Sequence, residues 1–235
     1  MCGNCVEQIT RGNDLHALLC AKGESTRGHK AVRDMLHSIA LQVDASAETE
    51  PEGLIPSHPR LRPADVLTGA FHNGRLAAVD VGVICPAASG AGLDCVVTMD
   101  QRKRERLEQF RDELDAGGVV YHPFAVSCWG RLHPAALQML QNVAKRLARR
   151  EGNGSQRAVL RRLQARVATE VVRRAARMAI HCLPRPSASD EEAVGIQGAP
   201  MDAIISAESS LRAGDPGSVV LPSYLVLPSG TAVGS

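Results

Sequence analysis

In the stretch RPADVLTGAFHNGRLAAVDVGV, residues 62–83, two aspartates stand fifteen positions apart, each beside a short apolar run that reads as a strand. Two carboxylates brought to one end of a sheet would offer hard oxygen ligands to Mg²⁺ or Mn²⁺. A cation held there can lower the pKa of a bound water and stabilise charge on a phosphoryl group. Asp65 and Asp80 are therefore candidate metal ligands and candidate catalytic groups; the plainer alternative is a pair of strand-end aspartates that cap turns. Lys103 adds to the first reading because it heads the apolar stripe Lys103, Leu107, Phe110, Leu114 rather than the polar face of its segment. An ammonium there could reach the carboxylates and stabilise a phosphoryl transition state, or its methylenes could simply cover the stripe. His29 and Glu50 fall in segments that could approach the same place, without spacing that assigns either a role.

A second constellation opens the chain. MCGNCVEQITRGNDLHALLC spells C-x2-C-x10-H-x3-C through Cys2, Cys5, His16 and Cys20. Three thiolates and an imidazole in that order suit a four-coordinate structural zinc site, with a tight turn giving two ligands and a helical turn the others. Without metal the segment is too short to hold a core, and the alternative is a set of unligated thiols. Seven cysteines with no charged-then-apolar leader before them suggest a reducing, intracellular setting.

Charge is unevenly spread. Arg102 to Cys182 carries 17 basic against seven acidic side chains, whereas Ser187 to Ser235 has Arg212 against six acids. The middle of the chain is thus the part suited to a polyanion. Arg162, Arg166, Arg173 and Arg177 recur on one helical face while Leu160, Leu163, Val167, Val171 and Met178 follow the other, so the arginines could track phosphates or form a solvated surface. Arg102 and Arg106 flank Lys103 as further candidates for nucleic-acid contact. Competing signatures are absent: no G-x-G-x-x-G after a strand, no phosphate-binding G-x-x-x-x-G-K-[ST], no G-x-S-x-G, no H-E-x-x-H. His181 and Cys182 read as helix-end packing, and Cys128 and Trp129 as a strand end.

The elements that must position these residues follow from periodicity. TRGHKAVRDMLHSIALQV reads as a helix with Thr26 as N-cap; AETEPEGLI as a weak strand or loop; and the runs around HNG as a hairpin, since Asn-Gly favours a tight turn. MDQRKRERLEQFRDELDAGG predicts one helix closed by Gly117 and Gly118. VVYHPFAVSCWG predicts a buried strand that Pro123 pushes to an edge. Helices over about 134–150 and 155–182 complete the order α, β, β, β, α, β, α, α, an α/β fold with a small mixed sheet flanked by helices. With hydrophobic residues at 44% and aromatics at 3%, the core is expected to be aliphatic rather than built on rings. The reading gives a zinc-knuckle-like segment at 1–24, a domain at 25–183 and a loosely ordered tail at 184–235, where SVVLPSYLVLP could add a strand.

Together, the C-x2-C and LHALLC ligands, RGHKAVRDML, EPEGL, RPADVL, AAVDVGVICP, the RKRERL helix and YHPFAVSCWG resemble the C-terminal region of non-LTR retrotransposon reverse transcriptase proteins. There a zinc-knuckle-like segment precedes a restriction-like endonuclease of the PD-(D/E)xK fold. The likeness spans residues 2 to about 183 and is strongest over 62–130. It implies a nucleus-located, metal-dependent enzyme that nicks target DNA with Mg²⁺ or Mn²⁺, carries structural Zn²⁺, and has DNA and element RNA, not membrane, as partners. By resemblance Asp65 and Asp80 are the two acids, and Lys103 begins a K-x-x-K-Y-like motif that replaces a lysine two residues after the second acid, where Gly82 stands. This chain departs from the pattern in the extra residue of RPAD, in Arg106 at the second lysine and in Leu107 at the tyrosine. With no polymerase region in these residues, a detached piece or altered copy is expected. The alternative is a binding remnant that has lost cleavage; a protein-interaction scaffold is a third reading.

Overall fold

Asp94 and His133 start two of the helices that carry the architecture. The structure, a computed structural model, describes residues 16–20, 24–88, 90–152 and 155–182. Cys2, Cys5 and the whole of 184–235 lie outside the described residues, and with them half of the zinc pattern and the expected tail. The elements are α1 (His16–Leu19), α2 (Glu24–Ala40), β1 (Glu48–Thr49), β2 (Val66–His72), β3 (Arg75–Ile84), α3 (Cys95–Leu107), α4 (Arg111–Ala116), β4 (Val120–Ser127), α5 (Pro134–Arg150) and α6 (Gln156–Cys182).

Four strands form one mixed sheet in the order β1-β2-β3-β4; the first three are antiparallel and β4 runs parallel to β3. The β2–β3 hairpin turns at Asn73 and Gly74, both at positive φ (48° and 86°), as a tight Asn-Gly turn requires. Pro123 sits in β4, an outer strand where a missing N–H costs no ladder bond on the open side. Because β3 and β4 are parallel, α3 and α4 must carry the chain back between them.

Side chains of β3 divide the core. Ala77, Val79 and Val81 face α2, α5 and α6 in the largest apolar cluster, while Ala78 and Ile84 face the α3–α4 side. Phe71 and Phe124 are buried at the centre. The core is otherwise aliphatic, as expected from the composition, with Val, Leu, Ile and Ala making up most of the buried apolar residues around those two rings.

Three boundaries differ. The basic helix begins at Cys95 rather than near Met99, because the Asp94 carboxylate accepts from the backbone N–H of Val96 and Val97 (both 3.2 Å) and caps it. It does not run unbroken to the glycines, for Leu107 (φ −104°, ψ 2°) and Phe110 (φ −107°, ψ 5°) leave helical geometry around a 3-10 turn at Glu108–Phe110. Helix α2 starts at Glu24, so Thr26 lies within it and is not its cap. His133 caps α5 through Nδ1 to Ala135 N (3.2 Å), with Pro134 at the first helical position.

Candidate metal centre

Asp65 and Asp80 meet because of the register of their hairpin. Val66 pairs with Val79, and just before β2 Asp65 N also donates to Val79 O (2.9 Å), which sets the Asp65 carboxylate beside that of Asp80, the next residue of β3. The turn alone would not do this. His72 pairs with Arg75, and continuing that register would set Asp80 against Leu67; an irregularity between Thr68 and His72 shifts it by two. The irregularity is pinned from outside: Asp44 Oδ2 accepts from Thr68 Oγ1 (2.5 Å) and Gly69 N (2.7 Å), and Arg146 donates to Gly69 O (2.9 Å) and Val43 O (2.9 Å). These bonds and those from Ser46 outweigh partial burial and hold the Asp44 carboxyl down to about 2.

Like charges placed directly across a hairpin repel, so the pair needs compensation. Helix α2 supplies His29, whose Nε2 lies 3.2 Å from Asp65 Oδ2 and 3.1 Å from Val81 O. Both partners are acceptors, so Nε2 carries the proton. Asp65 Oδ2 also accepts from Val81 N (2.7 Å). Burial works against ionisation of Asp65, but the His29 and Val81 bonds win and its carboxyl lies below the usual range. The hydrogen bond to Asp65 correspondingly raises His29 against the opposing effect of burial. Ligand atoms of His29, Asp65 and Asp80 all fall within 4.8 Å of one another, the one such group of three among the described residues.

Helix α3 supplies the cations. Lys103 Nζ is 2.6 Å from Asp80 Oδ1, and Arg106 Nη2 is 2.5 Å from Oδ2. Lys103 reaches this point across Gly82: a Cβ at position 82 would lie 2.7 Å from Lys103 Cε and 2.7 Å from Met99 Cγ. From β4, Tyr121 OH donates to Asp80 Oδ2 (2.8 Å). Burial and then the Asp80 charge push its phenol above the ordinary range, so it remains a neutral donor.

The residues singled out from sequence are thus distributed unevenly. Asp65, Asp80, Lys103 and Arg106 come together; His29, left without a role, joins them; Tyr121 enters unannounced from the YHPF strand, its only prior signal being alternation toward the α3 face. Glu50 does not join, since its carboxylate is engaged by Arg33 and Arg62. Arg102 donates to Gly90 O (2.6 Å). Arg162, Arg166 and Arg173 of α6 engage Glu151, Ser38 and Glu170; that helix packs on α2 and α5, on the side of the sheet opposite Lys103. Arg177 lies further along the same helix. His16 and Cys20 bracket the helical turn α1, where Ala17 and Cys20 pack with Cys182.

A cavity of about 430 Å³ adjoins the centre through His29, walled by Val32, Val83, Cys85, Cys128 and Met178. Burial and neighbouring Cys85 push the Cys128 thiol up to about 12, so this wall offers a packed thiol and not a nucleophile. No described helix is long and apolar enough to cross a membrane.

Chemically, the centre presents two carboxylates and an imidazole placed to hold a metal ion, with the Lys103 ammonium and Arg106 guanidinium paired to Asp80 beside them. No protein-family model matches the chain, and neither a curated protein nor a solved structure matches it.

Proposed function

We propose that the chain is a divalent-metal-dependent DNA endonuclease domain of retrotransposon type, with the restriction-endonuclease-like fold. The observation that carries this reading is the convergence of His29, Asp65 and Asp80 to within 4.8 Å, with Lys103 Nζ 2.6 Å from Asp80. The element order, in which a helix, three antiparallel strands, a helical crossover and a parallel fourth strand follow one another, supports the fold assignment.

Asp65 and Asp80 would hold Mg²⁺ or Mn²⁺, with His29 serving as third ligand through Nε2 in the tautomer protonated on Nδ1, the extra proton of a charged ring passing to solvent. The bound ion would supply an acidic water and charge neutralisation at the phosphate. Lys103 stays beside Asp80 and places its ammonium where negative charge develops. Tyr121 fixes the Asp80 carboxylate, and Arg106 faces solvent, where a strand would lie. Zinc at Cys2, Cys5, His16 and Cys20 and DNA contact by the arginines belong to the same reading.

A second reading has its own observation. Asp80 is so fully engaged by Lys103, Arg106 and Tyr121 that the same groups suit a buried ionic brace in a nucleic-acid-binding protein without cleavage. Nicking of supercoiled plasmid by purified protein with Mg²⁺ or Mn²⁺, beside Asp80→Asn, separates the two. Metal-dependent nicking that the variant lacks is expected; equal background from both proteins, with DNA retained in a gel shift, would leave the binding reading standing.

A further inference from the structure

Asp80 has both oxygens occupied by donors of unequal freedom. The Lys103 side chain is 13% exposed and threads past Gly82 and Met99. Tyr121 is half-buried and its hydroxyl also lies 3.3 Å from Lys103 O. The Arg106 side chain is 61% exposed although it bonds a carboxylate that is only 6% exposed. A solvated guanidinium on a long stem can exchange partners with little packing lost, whereas the other two cannot.

Charge balance makes that exchange consequential. Asp80 already faces Lys103 and Arg106 while Asp65 bonds His29, so a divalent ion entering the centre adds to a site whose carboxylates are already compensated and finds one Asp80 oxygen shared with a guanidinium. Its binding is opposed until a cation leaves or an anion arrives. A backbone phosphate does both, because it brings negative charge and offers the forked acceptor that guanidinium prefers.

We propose that Arg106 gates the metal centre: in the free protein it shields Asp80, and on DNA binding it passes to a backbone phosphate and opens Asp80 to the divalent ion. This rests on the metal-nuclease reading above and deepens it by making DNA a condition of full metal affinity. Metal and DNA are then coupled ligands, and the coupling is reciprocal.

The test is Mn²⁺ binding to the full chain, by titration calorimetry or by the resonance of free Mn²⁺, with and without a short DNA duplex. Wild type should gain about tenfold in Mn²⁺ affinity when DNA is present, within the usual range of such couplings. Arg106→Gln should bind Mn²⁺ about tenfold more tightly than wild type without DNA and gain little from it, while Arg106→Lys, which keeps the charge, stays coupled. Thermal unfolding of each variant guards against a folding effect. Arg106→Gln binding Mn²⁺ no better than wild type, with Asp80→Asn abolishing binding in both, would overturn the gate and leave the metal centre intact. Absence of Mn²⁺ binding under every condition would overturn both.

Discussion

A methyl group at position 82 would occupy space that Lys103 now fills, since its Cβ would stand 2.7 Å from Lys103 Cε. Both neighbours, Lys103 Cε and Met99 Cγ at 2.7 Å each, are side-chain atoms and not backbone, so Gly82→Ala should fold while it shifts Met99 and displaces the ammonium from Asp80. We expect nicking to fall by an order of magnitude or more, about 1.4 kcal/mol per tenfold, with DNA affinity kept; single-turnover rates beside a gel shift check it. On the other sheet face His122 Nε2 contacts His72 Nδ1 at 2.8 Å, and burial followed by the His72 charge pushes His122 down to about 4. The unfolded chain takes up that proton first as pH falls below 6.5. The stability due to a neutral His122 is therefore complete above 6.5 and drains as pH falls toward about 4. Denaturant melts between those limits should show a loss that His122→Gln removes; an unchanged slope in the variant would contradict the assignment. At this scale Asp65, Asp80 and Lys103 were legible because strand edges and a helical stripe limit where they can point. His29 and Tyr121 were not, for their arrival depends on how α2 and β4 lie against the hairpin.

At the scale of elements, the hairpin shows where local reading stops. Asn73-Gly74 announces the turn, yet the register it implies would leave Asp65 and Asp80 two positions out of step; the shift between Thr68 and His72 is held by Asp44 and Arg146, remote in sequence. Asp44→Ala removes bonds from a hydroxyl and a backbone amide to a charged acceptor, a loss of about 1.5–3 kcal/mol for charge-assisted hydrogen bonds. The variant should melt earlier and bind Mn²⁺ more weakly although position 44 touches no ligand; wild-type metal affinity in a destabilised variant would show that the irregularity does not set the centre. The later helices were plain from period alone because each presents one continuous apolar face, Met139, Leu140, Val143 and Leu147 on α5 and Val159, Leu163, Val167 and Val171 on α6. The basic helix was misread as unbroken because its stripe keeps helical spacing straight through the 3-10 turn.

Across the whole molecule, charge and topology set the behaviour. The excess of ten basic groups between Arg102 and Cys182 predicts DNA affinity that falls linearly in log–log with salt, by roughly 0.9 per phosphate neutralised. Gel shifts over a salt series check this, and a flat response would favour a protein partner. Fold class was readable because β–α alternation leaves few arrangements for a small sheet; pairing order was not, since nothing local says that β4 returns parallel to β3. That parallel return also bears on how the protein matures. Asp80, Lys103, Arg106 and Tyr121 all lie on the β3–α3–β4 crossover, while Asp65 and His29 precede it. Hairpins close quickly, and a parallel pair spanning a long crossover closes slowly. During synthesis or refolding the Asn73–Gly74 turn will therefore form before Lys103, Arg106, Tyr121 and the register-pinning Arg146 arrive, and the two aspartates come into step only as those later elements pack.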